Sequence, residues 1–222
     1  MSAYQIIMDW SEVWALSVAV FFVLKNRNTQ AHLKPIFYYL IIAFLLNLCA
    51  LSLQYLNRSL PIDLKYKNGL LYNAHSLTRT ILFVMFFKRM DIGFKWLKYQ
   101  WVLVEIILVV MIIFLWFDDP FIISSKLFTF EGIVLLVYCI SFFLQRIKDE
   151  EIHIEFDASL IIVTGLTIYE SINFFIFLFF NTLMQTEMKF ADSIWDVHNI
   201  AFMIFCVFLS YAFYGKVISL HK

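Results

Sequence analysis

Seven long apolar runs divide this chain of 222 residues. A helix that crosses the hydrocarbon core of a bilayer needs roughly 20 predominantly apolar residues, and the runs lie at about 9–25, 35–57, 69–88, 98–117, 127–146, 156–181 and 191–215. Hydrophobic residues make up 62% of the chain and charged residues only 15%, a composition that excludes a soluble domain of this size. The sequence therefore predicts an all-α integral membrane protein, with residues 1–222 forming one domain, a seven-transmembrane-helix bundle.

Lysine and arginine are distributed unevenly over the predicted loops. One set of loops holds eleven of them: Lys25, Arg27, Lys34, Lys88, Arg89, Lys95, Lys98, Arg146, Lys148, Lys216 and Lys222. The alternate set holds five: Arg58, Lys65, Lys67, Lys126 and Lys189. Because cytoplasmic loops are enriched in Lys and Arg, we expect the N-terminus outside and the C-terminus in the cytoplasm. The expected location is a bacterial inner (plasma) membrane, with the first run retained as a helix, since no basic leader with a small-residue cleavage site precedes it.

Residues 70–89, which include nearly all of the third run, carry an unusual stripe of polar side chains. Its members are Tyr72, His75, Ser76 and Arg79, spaced i, i+3, i+4 and i+7, so they share one face of a helix. A charged side chain at the centre of a bilayer costs about 2.5–3.5 kcal/mol on insertion scales. The stripe is therefore expected to face the protein interior and not the lipid.

Further ionisable residues fall inside the other runs. Together with His75 of the stripe, five of them are predicted in the outer half of the membrane, Glu12, Glu131, Glu170, Asp196 and His198, whereas Glu105 falls in the inner half. Six such groups facing lipid separately would cost on the order of 15 kcal/mol, so convergence on one shared polar cavity is the expected arrangement. The candidate ligand-binding residues are His75, Arg79, Glu170, Asp196, His198, Glu131, Glu12, Tyr72 and Asn199.

The predicted cavity is net acidic. A surplus of carboxylates favours a cationic or polar small ligand, or protons, and the two histidines would make the site respond to pH. Imidazole and carboxylate ligands also suit a divalent metal, for which the candidates are His75, His198, Glu170 and Asp196. No HExxH or ExxH spacing supports the metal, and interhelical hydrogen bonding is the simpler interpretation of these polar groups. Haem between the histidines is disfavoured, because only two glycines lie well within the runs.

A weak internal repeat is present. A shift of 123 residues places Tyr72 on Trp195, His75 on His198 and Asn47 on Glu170. Runs 1–3 and 5–7 are then related copies and run 4 is the connector, a 3+1+3 plan of the kind found in some transporters with parallel repeats.

Motifs of familiar seven-helix families are missing from the sequence. The seventh run has no mid-membrane lysine for retinal, the third does not end in Asp/Glu-Arg-Tyr, and the HxxxH pair of ceramidase-type hydrolases is absent. The mid-helix prolines of sugar and vitamin transporters with a 3+1+3 plan are absent as well. No family is recognised.

Three functional classes remain. We favour a membrane protein that binds or senses a ligand. It is expected to contact a membrane or cytoplasmic signalling partner through residues 88–99 and 145–156. The lipid bilayer surrounds it, and no nucleic-acid partner is expected. The alternatives are a small-solute or ion transporter of 3+1+3 plan and a metal-dependent intramembrane hydrolase. The chain has only three prolines and five glycines, which counts against the hinged helices of many transporters. A catalytic role is the less favoured interpretation, because no spacing identifies a nucleophile or a metal-bound water with its base.

Overall fold

The computed structural model describes residues 8, 10–25, 30–59, 68–90, 100–117, 122–148, 157–186 and 188–219. These residues form seven α-helices and one short 3-10 turn (Ala31–Leu33) that leads into α2. The helices are α1 Ser11–Lys25, α2 Lys34–Ser59, α3 Gly69–Arg89, α4 Gln100–Phe117, α5 Ser125–Lys148, α6 Ala158–Thr186 and α7 Met188–Ser219. Each predicted apolar run coincides with one helix, which confirms the all-α prediction.

Four stretches of these helices are long and apolar enough to cross a membrane. They are Ala31–Leu56, Ser125–Lys148, Ala158–Phe180 and Ser193–Tyr214. The described apolar stretch of α4, Val104–Phe114, is shorter than these four. In such helices the backbone N–H and C=O groups form hydrogen bonds within the helix, as the hydrocarbon core of a bilayer requires. The chain is therefore an integral membrane protein.

Short polar side chains define where several helices begin. The Asp157 carboxylate accepts from the backbone N–H groups of Ser159 and Leu160, at 2.8 and 3.3 Å, and so caps α6. The Ser124 hydroxyl accepts more weakly from the Leu127 N–H, at 3.4 Å, at the start of α5. Pro35 occupies the first turn of α2, where its missing N–H leaves no helical hydrogen bond unmade.

Six of the helices pack side by side in a closed ring, in the order α1, α2, α3, α5, α6, α7 and back to α1. The ring encloses one hydrophobic core to which all six helices contribute. α4 lies at the periphery against α3 and α5, with Ile107 and Met111 buried against Leu127. The outer face of α4 exposes large apolar side chains, among them Ile106, Val109 and Trp116, as expected of a surface in contact with lipid.

Candidate binding site: an acidic cleft and a buried ion-pair cluster

A cleft of about 240 Å³ opens at one end of the bundle. It lies where α1, α3 and α7 begin and α2 ends. The residues that line it are Met8, Glu12, Val13, Asn47, Leu51, Gln54, Asn68, Tyr72, Trp195, Asp196 and Asn199. Of these described lining residues, two are acidic and none is Lys or Arg.

The cleft presents two carboxylates, a buried amide oxygen and two aromatic rings. The carboxylates of Glu12 and Asp196 face it from α1 and α7. Asn199 is 6% exposed, and its side-chain Oδ1 has no hydrogen-bond partner among the described residues. The rings of Tyr72 and Trp195 meet edge to face, with their centroids 6.1 Å apart, and form an aromatic wall. A buried acceptor without a donor is costly unless something else bonds to it, so the cleft has the chemistry to receive an N–H donor.

His198 lies behind the cleft and joins it to the interior of the bundle. Its Nε2 is 3.7 Å from Glu12 Oε1, and its Nδ1 is 2.6 Å from Asn173 Oδ1. Asn173 in turn donates from Nδ2 to the backbone carbonyl of Tyr169, at 2.9 Å. The imidazole thus connects a carboxylate of the cleft on α1 with a polar side chain of α6.

A second polar group is fully buried at mid-bundle and is centred on Arg79. Arg79 donates from Nε and Nη2 to the two oxygens of Glu131, at 2.6 and 2.8 Å, and from Nη1 to the Tyr169 hydroxyl, at 2.6 Å. Ser76 donates to the same Glu131 carboxylate at 2.6 Å. All four side chains are at most 1% exposed. A bidentate Arg–carboxylate pair is the geometry in which such charges are best satisfied when buried, so this group binds α3, α5 and α6 together.

Glu170 is the third ionisable group of this buried cluster. Its Oε1 lies 3.4 Å from Arg79 Nε, close enough for an ion pair. This oxygen nevertheless has no hydrogen-bond partner among the described residues. The other carboxyl oxygen lies 3.6 Å from the place where a Cβ on Gly132 would be. The carboxyl therefore fits into the space that a glycine leaves on α5.

His75 is buried between aromatic side chains and does not line the cleft. Its Nε2 is 3.4 Å from the Tyr39 hydroxyl, and its ring stacks on the Tyr39 ring with centroids 5.8 Å apart. The Phe202 ring lies edge-on at 6.2 Å. These contacts are those of a packed polar residue in a helix bundle.

The structure divides the predicted site residues into two groups instead of one shared cavity. Four of them line the cleft: Glu12, Tyr72, Asp196 and Asn199. Three form the buried cluster: Arg79, Glu131 and Glu170. The single chamber predicted from the sequence does not account for this arrangement, in which Arg79 bonds to Glu131 and Tyr169 and none of the three lines the cleft. Glu105 is exposed on α4, away from both groups.

The metal candidates are likewise separated. Within the described ranges, no group of three or more His, Cys, Asp or Glu side chains is placed to hold a metal ion. His75 faces Tyr39, His198 faces Asn173, and Glu170 faces Arg79. The expected divalent-metal site at His75, His198, Glu170 and Asp196 is therefore not formed by these side chains.

Several residues at or next to the two groups were not among the predicted site residues, and three of them contact residues that were. Tyr169 accepts from Arg79, Asn173 orients His198, and Trp195 forms the aromatic wall of the cleft. Helical spacing was the available signal, because Trp195 lies three positions before His198 and Asn173 three positions after Glu170. Tyr169 offered no such signal, since a tyrosine within an apolar run is equally common at a packed helix interface.

Fold and site together define a class, an all-α integral membrane protein with an acidic, aromatic-walled cleft at one end of the bundle. Comparison of the chain with family models, curated proteins and solved structures gives no match.

Proposed function

We propose that this protein is a receptor-like membrane protein whose cleft binds a small organic cation, with protonated amines as the ligand class. The observation that carries the proposal is the buried Oδ1 of Asn199, a residue of the cleft lining, which has no hydrogen-bond partner among the described residues. The charged residues among the described lining residues are Glu12 and Asp196. An ammonium group supplies an N–H donor for the Asn199 oxygen and a positive charge that complements the acidic lining.

The shape of the cleft is consistent with this ligand class. Tyr72 and Trp195 present aromatic rings, and a cation near such rings gains roughly 0.5–2 kcal/mol. The volume of about 240 Å³ lies below the range of about 300–1,000 Å³ typical of pockets for drug-sized ligands. The proposed ligand is accordingly small, an amine with a short carbon skeleton.

The proposed topology places the cleft on the outer side of the membrane. All seven helices cross the bilayer in this proposal, and the N-terminus is outside because Lys and Arg are concentrated in the alternate loops. A ligand then enters from the extracytoplasmic side, and α3, which lines the cleft with Tyr72, extends to Arg89 at its other end. The loops proposed to contact a signalling partner, residues 88–99 and 145–156, lie mostly outside the described residues.

The test is ligand binding by the purified protein in detergent. The probes are alkylammonium chlorides from methylammonium to trimethylammonium, each of which carries at least one N–H group, with sodium chloride as the ionic-strength control. We expect a saturable rise of Tm with at least one alkylammonium ion. Glu12→Gln and Asp196→Asn should each weaken binding about tenfold or more, because a hydrogen bond to a charged group contributes about 1.5–3 kcal/mol.

Glu105→Gln is the matched control, since it removes a carboxylate that is exposed on α4. This variant should bind the same ions with unchanged affinity. The proposal fails if no alkylammonium ion gives a saturable shift, or if Glu12→Gln, Asp196→Asn and Glu105→Gln all bind as the unmodified protein does.

A transporter of 3+1+3 plan is the second candidate, favoured by the helix contacts. Exchange of α1, α2 and α3 with α5, α6 and α7 maps every neighbouring pair of the six-helix ring onto another neighbouring pair. The residues that the 123-residue shift aligns, Tyr72 and Trp195, touch each other, as positions near a two-fold axis would. Uptake of radiolabelled methylammonium into proteoliposomes, lost in Asp196→Asn, would support transport. Binding without uptake would favour the receptor.

A further inference from the structure

Glu170 lies in the middle of α6 and is 1% exposed, beside an arginine that is already paired with another carboxylate. We propose that Glu170 is a proton-binding site, separate from the cleft, which holds a proton on its carboxyl group in the resting protein. The inference rests on the buried cluster alone and is independent of any ligand in the cleft.

The first step is the balance of charge. The cluster contains two carboxyl groups, Glu131 and Glu170, and one guanidinium, Arg79. With both carboxyls ionised the cluster would carry a net negative charge among residues that are at most 1% exposed, where unpaired charge is strongly disfavoured. One proton on either carboxyl makes the cluster neutral.

The second step is to identify which carboxyl holds the proton. Glu131 accepts three hydrogen bonds, two from Arg79 and one from Ser76, and donors around a carboxylate stabilise its ionised form. All three guanidinium nitrogens of Arg79 already donate, to Glu131 or to Tyr169. Glu170 Oε1 accepts no hydrogen bond from a described residue. The proton therefore belongs on Glu170.

Other titratable groups surround Glu170 without adding a second positive charge. From the neighbouring helices and its own helix they are Tyr39 of α2, Arg79 of α3, Glu131 and Cys139 of α5, and Tyr169 of α6. His198 of α7 is directed towards Asn173 and Glu12. Arg79 is thus the cation that faces Glu170 among the described residues.

Release of this proton would change how the helices are joined. An ionised Glu170 would compete with Glu131 for Arg79, whose guanidinium connects α3 to α5 and to Tyr169 of α6. Protonation of Glu170 would then determine whether Arg79 interacts more strongly with Glu131 of α5 or with Glu170 of α6. This gives the bundle two arrangements that differ by one proton.

The test is infrared spectroscopy of the full-length protein in detergent at neutral pH. A protonated carboxyl gives a C=O stretching band that an ionised carboxylate lacks, and the band shifts in D2O. Glu105 is replaced by glutamine in every sample, because a carboxyl that faces lipid or detergent could give a band of its own. We expect this background protein to show the neutral-acid band, and Glu170→Gln to lose it with its Tm nearly unchanged, since glutamine has the shape and neutrality of a protonated glutamate.

Glu12→Gln in the same background is the matched control and should keep the band. Absence of the band in the Glu105→Gln protein itself would overturn the proposal without any further variant. So would a band that survives in Glu170→Gln, which would place the proton elsewhere. A Glu170→Gln protein that fails to fold would also contradict it, because an isostere of the neutral acid should be accepted.

Discussion

The imidazole Nδ1 of His198 lies 2.6 Å from the side-chain Oδ1 of Asn173, inside the bundle where α6 packs on α7. The amide orientation is fixed because Asn173 donates from Nδ2 to the Tyr169 carbonyl. His198 Nδ1 must therefore carry the hydrogen, and Nε2 is left facing Glu12. This hydrogen bond sets the orientation of the imidazole, which lies between Glu12 of the cleft and Asn173 of α6.

We expect strong coupling between His198 and Asn173 in a double-mutant cycle. His198→Ala and Asn173→Ala should each destabilise the fold, and the double variant should be less destabilised than their sum by about 0.5–3 kcal/mol, because contacting residues couple by that amount. Unfolding in mixed micelles with increasing dodecyl sulfate measures the free energies. His198→Ala combined with Ser210→Ala is the control. Ser210 lies on the same helix but bonds to the Cys206 carbonyl, so these two effects should add. Coupling as small as in that control pair would count against the hydrogen bond.

The Arg79–Glu131 pair should be far more important for stability than an exposed ion pair. Arg79→Met leaves the Glu131 carboxylate buried and unpaired, and the loss of one partner of a buried pair costs about 3–5 kcal/mol. Arg146→Gln removes the partner of Asp157 at the surface, where the Arg146 side chain is 43% exposed, so a loss of at most about 1 kcal/mol is expected. The same unfolding measurement compares the two. Equal losses of stability in both variants would contradict the importance of the buried, bidentate Arg79–Glu131 pair.

The positions of the helices were predictable from sequence, whereas the partners of the polar side chains were not. The run at 127–146 became α5, Ser125–Lys148, because apolar length alone decides where a chain can span a bilayer. Depth in the membrane could also be read from residue number. It placed Glu131 and Glu170 in the same half of the membrane, but it gave no measure of how each helix is rotated about its axis.

The division between cleft and buried cluster follows from that rotation. Asn199 and Asp196 face the cleft, while Glu170 and Glu131 face Arg79 at mid-bundle. The reach of an arginine across two helices depends on the tertiary packing, so no pattern along the chain distinguishes a carboxylate that is paired from one that is open to a ligand.

The proposed position of the cleft on the outer side of the membrane can be tested by cysteine labelling. The three native cysteines are replaced by serine, and single cysteines are introduced as Ser2→Cys, Lys222→Cys and Gln54→Cys. A membrane-impermeant maleimide added to intact bacterial spheroplasts should label positions 2 and 54 but not 222, because Lys and Arg are concentrated in the loops on the C-terminal side and Gln54 lines the cleft. Permeabilised cells, in which position 222 is labelled as well, are the control. Labelling of position 222 alone in intact spheroplasts would show that the orientation is the opposite of the proposed one.

The contact between α6 and α7 depends on a glycine. A Cβ at Gly165 would lie 2.5 Å from the Cβ of Phe208, an atom close to the backbone that moves only if the helix moves. Gly165→Ala should therefore separate the two helices and lower stability by about 1–3 kcal/mol, the usual cost of overpacking. Gly132→Ala is the matched control, since a Cβ there would be 3.4 Å from the Cβ of Phe174. Dodecyl sulfate unfolding should show a clear loss for the first variant and a smaller one for the second. A Gly165→Ala protein as stable as the Gly132→Ala protein would mean that the helices are not in such close contact.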